Sequence, residues 1–296
     1  MGQPTFCGRR VAFFGGSFDP PHLGHLAVAR AAQAALGLDT VLFAPVGAQP
    51  LKPHGSTASF THRLEMTRLA IGSNPGFIVS LADAPKPSGE PNFTLQTLRG
   101  LRAELPPEGA LFCLMGADSF TGLRRWRGAA EIPFVAPLIV ASRPGQRLDD
   151  LEAMLPEGLS LVSLPQDGRC AEEIAGEFAG EFAEEIAGGI EVRRYILRNP
   201  AGQQAPLYLL PGLQVEISAS EIREQMLIRE QVRIHEQVRI GDQVRIREQV
   251  QNRELIQLQG PARAHEHEHE DRGQALGREL LPGPVSDYIR AHGLYR

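Results

Sequence analysis

Gly15-Gly16-Ser17-Phe18-Asp19-Pro20-Pro21-His22-Leu23-Gly24-His25-Leu26 is the stretch on which the fold turns. It follows directly on the apolar run Val11 to Phe14 and opens Leu23 to Leu36, an alanine-rich segment with Gly37 where a helix C-cap would sit. A buried strand, a glycine turn and a helix are thus expected in immediate succession. The same rhythm continues outward. Thr40 to Val46 reads as a strand, Phe60 to Ile71 as a helix, and Phe77 to Leu81 as a strand. Thr94 to Leu105 reads as a helix stopped by Pro106-Pro107, and Leu111 to Met115 and Pro137 to Ala141 read as further strands. Alternating strands and helices predict an α/β fold, a parallel sheet covered on both faces. Ligands of such sheets bind beyond the carboxyl ends of the strands, at the topological switch point.

The glycine turn carries chemistry. Gly15 and Gly16 let the backbone turn tightly and approach a ligand without Cβ atoms. A helix beginning at Leu23 offers N–H groups and partial positive charge to an anion. His22 and His25 are three residues apart, so both can face one point, and Gly24 leaves room for a nucleotide. Beside polyphosphate, both imidazoles are expected to gain charge and donate strong hydrogen bonds to phosphate oxygens. Neither a dinucleotide-binding G-x-G-x-x-G nor a Walker A loop occurs here. A second phosphate element lies at Ser218-Ala219-Ser220-Glu221, which fits a capping box, although Ser220 could equally be the N-cap. Arg223 adds a planar fork for phosphate oxygens.

The 296 residues suit one large domain, or one domain with additions. Thirty basic against 35 acidic side chains give a net charge of −5, which argues against a dedicated nucleic-acid binder. No apolar run reaches membrane-spanning length, and Met1 to Phe6 does not read as a secretory signal. Cys7, Cys113 and Cys170 are widely spaced, so reduced thiols in a cytoplasmic setting are expected, and no metal site.

Three stretches break the rhythm. In Ala171 to Gly189, Ile174, Phe178, Phe182 and Ile186 recur every fourth residue, as on a slowly rotating helical stripe. From Gln231 a hexapeptide repeats, Gln-Val-Arg-Ile at 231, 237 and 243. Six helical residues advance by about 240°, so no helical face stays apolar; the repeat reads as a tandem expansion, exposed or disordered. His265-Glu266-His267-Glu268-His269-Glu270 reads as a solvated tract, not a metal site.

The stretch from Gly15 to His25 resembles the H-x-G-H signature of the nucleotidyltransferase superfamily, and its long form resembles bacterial nicotinate-nucleotide adenylyltransferases. Further similarities follow in that family's order. They are Pro45 through Lys52-Pro53, Arg63-Leu64-Glu65-Met66, Asn92-Phe93-Thr94 and Gly116-Ala117-Asp118 with Leu123 and Trp126. Ala141-Ser142-Arg143-Pro144-Gly145, Ile217 to Arg223, and Leu281-Pro282 to Leu294-Tyr295 complete the set. Departures fall mainly on the acceptor side: Gln49 and Leu51 replace a Pro and a His, and Asn92-Phe93 replaces Ser-Tyr, while Ser220 replaces the common Thr and keeps its hydroxyl.

The resemblance implies a Rossmann-like, doubly wound parallel sheet with a small C-terminal helical part. It implies a single nucleotidyltransferase domain over 1–296, with insertions at about 165–206 and 227–278. It implies adenylyl transfer from ATP to nicotinate mononucleotide, with Mg²⁺ bound mainly through the ATP phosphates. His22, His25 and Arg223 would stabilise charge. Gly15, Gly16, Ser17, Phe18, Gly24, Gly116, Asp118, Ser218 and Ser220 would contact ATP. Lys52, Thr94, Trp126 and Arg143 would bind the mononucleotide, with Trp126 stacked on the pyridine ring, Thr94 at its carboxylate, and Lys52 and Arg143 at its phosphate. A sister H-x-G-H transferase, such as phosphopantetheine adenylyltransferase, and a non-catalytic nucleotide-binding scaffold are the alternatives. Neither nucleic acid nor membrane is an expected partner; homo-oligomerisation stays open.

Overall fold

The computed structural model describes residues 8–51, 55–142, 151–163, 192–210, 219–228 and 280–295. The first half runs β1 (Arg10–Gly16), α1 (Leu23–Leu36), β2 (Thr40–Pro45), α2 (Phe60–Ile71), β3 (Phe77–Val79), α3 (Thr94–Glu104) and β4 (Ala110–Gly116). Short helices α4 (Ala117–Thr121) and α5 (Ile132–Val135) lead to β5 (Leu138–Ala141). Then come α6 (Leu151–Met154), β6 (Ser160–Ser163), β7 (Arg193–Arg198) and β8 (Gln204–Leu210). Helix α7 spans 219–228, and α8 spans Gly283–His292.

Among the described residues, eight strands form one sheet in the order β3-β2-β1-β4-β5-β8-β7-β6. From β3 to β8 all neighbours are parallel, while β7 runs antiparallel to both its neighbours. The order reverses between β1 and β4, the switch point at which a doubly wound sheet binds its ligand. The strands and helices of the first half match the expected ones to within a residue or two. Strands β7 and β8 were not read from the sequence. Strand β7 and the first residues of β8 lie in the span expected as an insertion, yet they extend the main sheet. Arg193, Arg194 and Arg198 stand on β7, two of them exposed at its start and one at its end, so its apolar signal is thin.

The continuous apolar runs have a direct cause. Val11 and Phe13 of β1 pack with Leu42 and Ala44 under α3 and α5, while Ala12 and Phe14 pack with Val41 and Phe43 under α1. Alternate residues therefore enter opposite cores, and both must be apolar. Each fully buried Phe or Leu contributes about 1.5–3 kcal/mol. A third cluster joins α2, α7 and α8 through Met66, Ala70, Ile222, Val285, Ile289 and Tyr295. The His62 ring nitrogen also meets the Tyr288 hydroxyl at 3.0 Å. Helix α1 ends where expected, on Gly37 at φ 54°, ψ 43°.

Among the described residues no helix is long and apolar enough to cross a membrane. Lys52, Arg143, Ser218, Cys7, Cys170, the 171–189 stretch, the hexapeptide array and the His/Glu tract lie outside the described residues.

Candidate active site

A cavity of about 620 Å³ opens at the carboxyl ends of β1 and β4. Every described residue expected at the site lines it. Gly15, Gly16, Ser17, Phe18, His22, Gly24 and His25 come from the first loop and helix; Gly116, Asp118 and Trp126 follow β4; Thr94 starts α3; Ser220 and Arg223 belong to α7. Residues more than 200 positions apart in the chain therefore meet around one space.

Local geometry explains the loop. A Cβ on Gly15 would lie 2.7 Å from the Phe13 ring, so a side chain there would displace the core beneath. Gly116 differs: a Cβ there would meet nothing within 4 Å and would project into open space at the cavity wall. Phe18 sits at φ 47°, in the left-handed region, and is held there by burial against Phe14 and Phe43.

His22 is the N-cap of α1, and its ring centroid lies 3.8 Å from that of His25. The His22 backbone N–H donates to His25 Nδ1 at 3.2 Å. In that contact Nδ1 is the acceptor, which leaves Nε2 to face the cavity as the donor. The His25 ring is thus held in place by the loop it serves. Two of the amides expected to be free at the start of α1 are engaged. Leu23 N–H donates to Leu280 O (3.0 Å) and His25 N–H to His22 O (2.9 Å). The helix end thus presents its dipole and its imidazoles more than its amides.

Ser220 lies inside α7, whose first described residue is 219, so it is not the N-cap. Its hydroxyl instead receives Arg223 Nη2 at 3.2 Å, while Arg223 Nη1 donates to the Asp19 carbonyl. Helix α7 is thereby tied to the first loop by its arginine.

Sequence reasoning missed the frame under the loop. Arg63 is 2% exposed. Its guanidinium donates to Ala58 O (3.2 Å), Ser17 O (2.7 Å) and Val46 O (2.7 Å). Burial pulls its pKa down, offset by the nearby Asp19 carboxylate. The available signal was position: Arg63 shares a helical face with Met66, Thr67 and Ala70, all buried. Asp19 is 4% exposed. It accepts the Thr57 and Ala58 N–H groups at 2.6 and 3.0 Å and the Tyr295 hydroxyl at 2.6 Å.

The other end of the cavity is built differently. Trp126 is half-buried there. Arg125, Arg127 and Phe93 also line this end, and the Arg127 guanidinium lies 4.7 Å from the Phe93 ring centroid. Asn92 serves the framework here. Its side-chain amide accepts Ala48 N–H and donates to Ala84 O, both at 3.0 Å, lacing two wall loops together. Gln49, another departure, receives the Ser17 hydroxyl at 3.0 Å. Burial raises the Asp83 carboxyl pKa, opposed by the Thr97 hydroxyl bonded to it. Cys113 is buried, and burial pushes its thiol up to about 12, so it is no nucleophile.

The cytidylyltransferase-like family matches residues 13–225. The chain belongs to that family. It is 41% identical over 160 residues to a "Probable nicotinate-nucleotide adenylyltransferase" of Gloeobacter violaceus, covering 53% of this chain and 76% of the relative. It is 43% identical over 166 residues to the protein so named in Thermus thermophilus, covering 56% and 84%. A solved structure of Plasmodium falciparum nicotinic acid mononucleotide adenylyltransferase complexed with NaAD is more distant. It aligns at TM-score 0.41 and 19% identity, covering 50% of this chain and 72% of that one. Family membership agrees with the order of motifs along the sequence, and the matched span holds the loop histidines, the β4 end and Arg223 alike.

Proposed function

We propose that this chain transfers the adenylyl group of ATP to nicotinate mononucleotide, giving deamido-NAD and pyrophosphate. One observation carries the reading: the His22–His25 turn and Arg223 line the same cavity as Thr94 and Trp126. In this reading the histidine turn and Arg223 take the phosphates, and Trp126 serves as an aromatic platform in the same cavity. Curated relatives bearing this enzyme's name, with 76% and 84% of their length covered, support it.

The mononucleotide phosphate is an anion near neutral pH, so the nucleophile needs no general base. An oxygen of that phosphate attacks the α-phosphorus of ATP in line, a new P–O bond forms, and the bond to pyrophosphate breaks. The chain's work is alignment and charge stabilisation. His25 Nε2–H and His22 would donate to phosphate oxygens. Arg223 spends donors on Asp19 O and Ser220 Oγ, and a guanidinium has five N–H groups in all. The others would meet the leaving pyrophosphate. Gly15, Gly16, Ser17, Phe18, Gly24, Gly116, Asp118 and Ser220 form the ATP-facing wall in this reading. Trp126 stacks on the pyridine ring, and Thr94 faces its carboxylate at the start of α3, whose N-cap Phe93 supplies no side-chain cap. Arg127 adds positive charge beside that position. Lys52, Arg143 and Ser218 are proposed to complete the phosphate contacts.

Among the described residues no group of three or more His, Cys, Asp or Glu could hold a metal, and both Asp19 carboxylate oxygens are already engaged. Such a donor set fits a Mg²⁺ carried in on the triphosphate rather than one caged by side chains. When bound, that ion would neutralise charge on the β- and γ-phosphates. We read the chain as one catalytic domain with additions at about 165–206 and 227–278, acting on soluble metabolites in the cytoplasm.

The test is pyrophosphate release with ATP, Mg²⁺ and one acceptor at a time. Nicotinate mononucleotide is expected to outpace nicotinamide mononucleotide and phosphopantetheine. Faster turnover of phosphopantetheine would assign the chain to a sister transferase, and no release with any acceptor would favour a nucleotide-binding scaffold.

A further inference from the structure

We propose that Tyr295 is a positioning residue for this reaction: its hydroxyl anchors the Asp19 carboxylate, and through Asp19 it sets the Arg223 guanidinium against the phosphate loop. The inference rests on the adenylyl-transfer reading of the cavity.

Contacts connect the three residues without a gap. The Tyr295 hydroxyl donates to Asp19 Oδ1 at 2.6 Å, across 276 positions of sequence. The same carboxylate accepts the Thr57 and Ala58 N–H groups, so its orientation is set from three sides. The Asp19 carbonyl, in the same residue, accepts Arg223 Nη1. Asp19 stands three residues before His22, so the group that orients the arginine belongs to the loop bearing the histidines. Packing runs in parallel with the hydrogen bonds. Ile222, adjacent to Arg223, shares a buried cluster with Tyr295, Val285 and Ile289. The segment carrying Tyr295 also grips α1 directly, through Leu280 O and Leu23 N–H.

Tyr295 is held in a conformation it would not adopt on its own. Its φ is 62°, in the left-handed region that a large L-residue rarely visits, and the residue is 7% exposed. Burial, together with donation to Asp19, pushes its phenol far above the ordinary tyrosine range, so it remains a donor throughout. A residue that merely filled the α2–α8 cluster would not need a hydroxyl; Phe would fill it.

The experiment is a double-mutant cycle on the full-length chain with Tyr295→Phe and Arg223→Ala, reading kcat, the KM for ATP and thermal unfolding. Tyr295→Phe is expected to lower kcat by roughly tenfold, since small misplacements of a phosphate-binding group are costly. In the Arg223→Ala background the same change should alter kcat less than about twofold, because the group it positions is gone. Losses that multiply across the two backgrounds would overturn the inference, as would an unchanged kcat in Tyr295→Phe. Should Tyr295→Phe not fold, Asp19→Asn weakens the link from its other end and must give the same non-additive pattern. Failure of the wild-type chain to release pyrophosphate from ATP and nicotinate mononucleotide would strike the functional reading instead.

Discussion

The two ends of the cavity are built on different principles. At the phosphate end, backbone carbonyls and carboxylate oxygens are locked by buried polar side chains, with Arg63 at 2% and Asp19 at 4% exposure. At the end proposed to take the acceptor, half-buried Trp126 and exposed Arg127 stand on the turns that follow β4. A fixed frame suits the end that must hold a triphosphate in line, since charge stabilisation depends on donors already in position. An aromatic face with neighbouring cations suits recognition of a flat, charged ring, and it tolerates adjustment. Damage at one end should therefore appear in kcat, and at the other in KM.

The largest test of that contrast is His25→Ala. Turnover should fall by about two to three orders of magnitude, with the far-ultraviolet circular dichroism unchanged. Unchanged turnover would break the assignment of the phosphate end. Arg63→Met comes next. It strips three carbonyls of one donor, two of them on the loops framing the cavity, and should cost about 3 kcal/mol in chemical unfolding. A loss under about 0.5 kcal/mol would mean that the frame is not what holds the loop. Trp126→Ala should raise the KM for the mononucleotide about tenfold while leaving the KM for ATP alone. Equal rises for both substrates would erase the division between the two ends.

The smallest effect belongs to Asp83, on the acceptor-side wall. Burial raises its folded-state pKa above the unfolded value, so the native state holds the proton more tightly. Its contribution to stability is then fully present below the unfolded pKa, about 3.9, and is lost as pH rises through the folded pKa. Unfolding midpoints of the wild type should decline over that window, and Asp83→Asn should flatten the decline. A steeper decline in the variant would contradict the sign.

Reading the sequence worked where a signal is local. The β1–turn–α1 junction announces itself within about fifteen residues, because a buried parallel strand must be apolar on both faces and a tight turn needs glycine. The second junction was legible in kind but not in detail: Ser220 was open as an N-cap, and it is a partner of Arg223 one turn into the helix. Strand β7 was missed because its arginines hide the alternation. Asn92 and Gln49 looked like losses of ligand contacts, whereas their partners are wall loops and Ser17.

From its sequence alone this protein has a determined order of elements, the place where its sheet reverses, and the residue types that gather there. Hydrophobic periodicity and turn chemistry are properties of neighbouring residues, so they survive in one dimension. Only the tertiary structure decided that Asp19 is a buried anchor, that Arg63 feeds three carbonyls, and that Tyr295 closes on the first loop from the far end of the chain. Hydrogen bonds between groups tens or hundreds of positions apart leave no periodic trace. A buried polar side chain, moreover, looks like any surface residue until its partners are found.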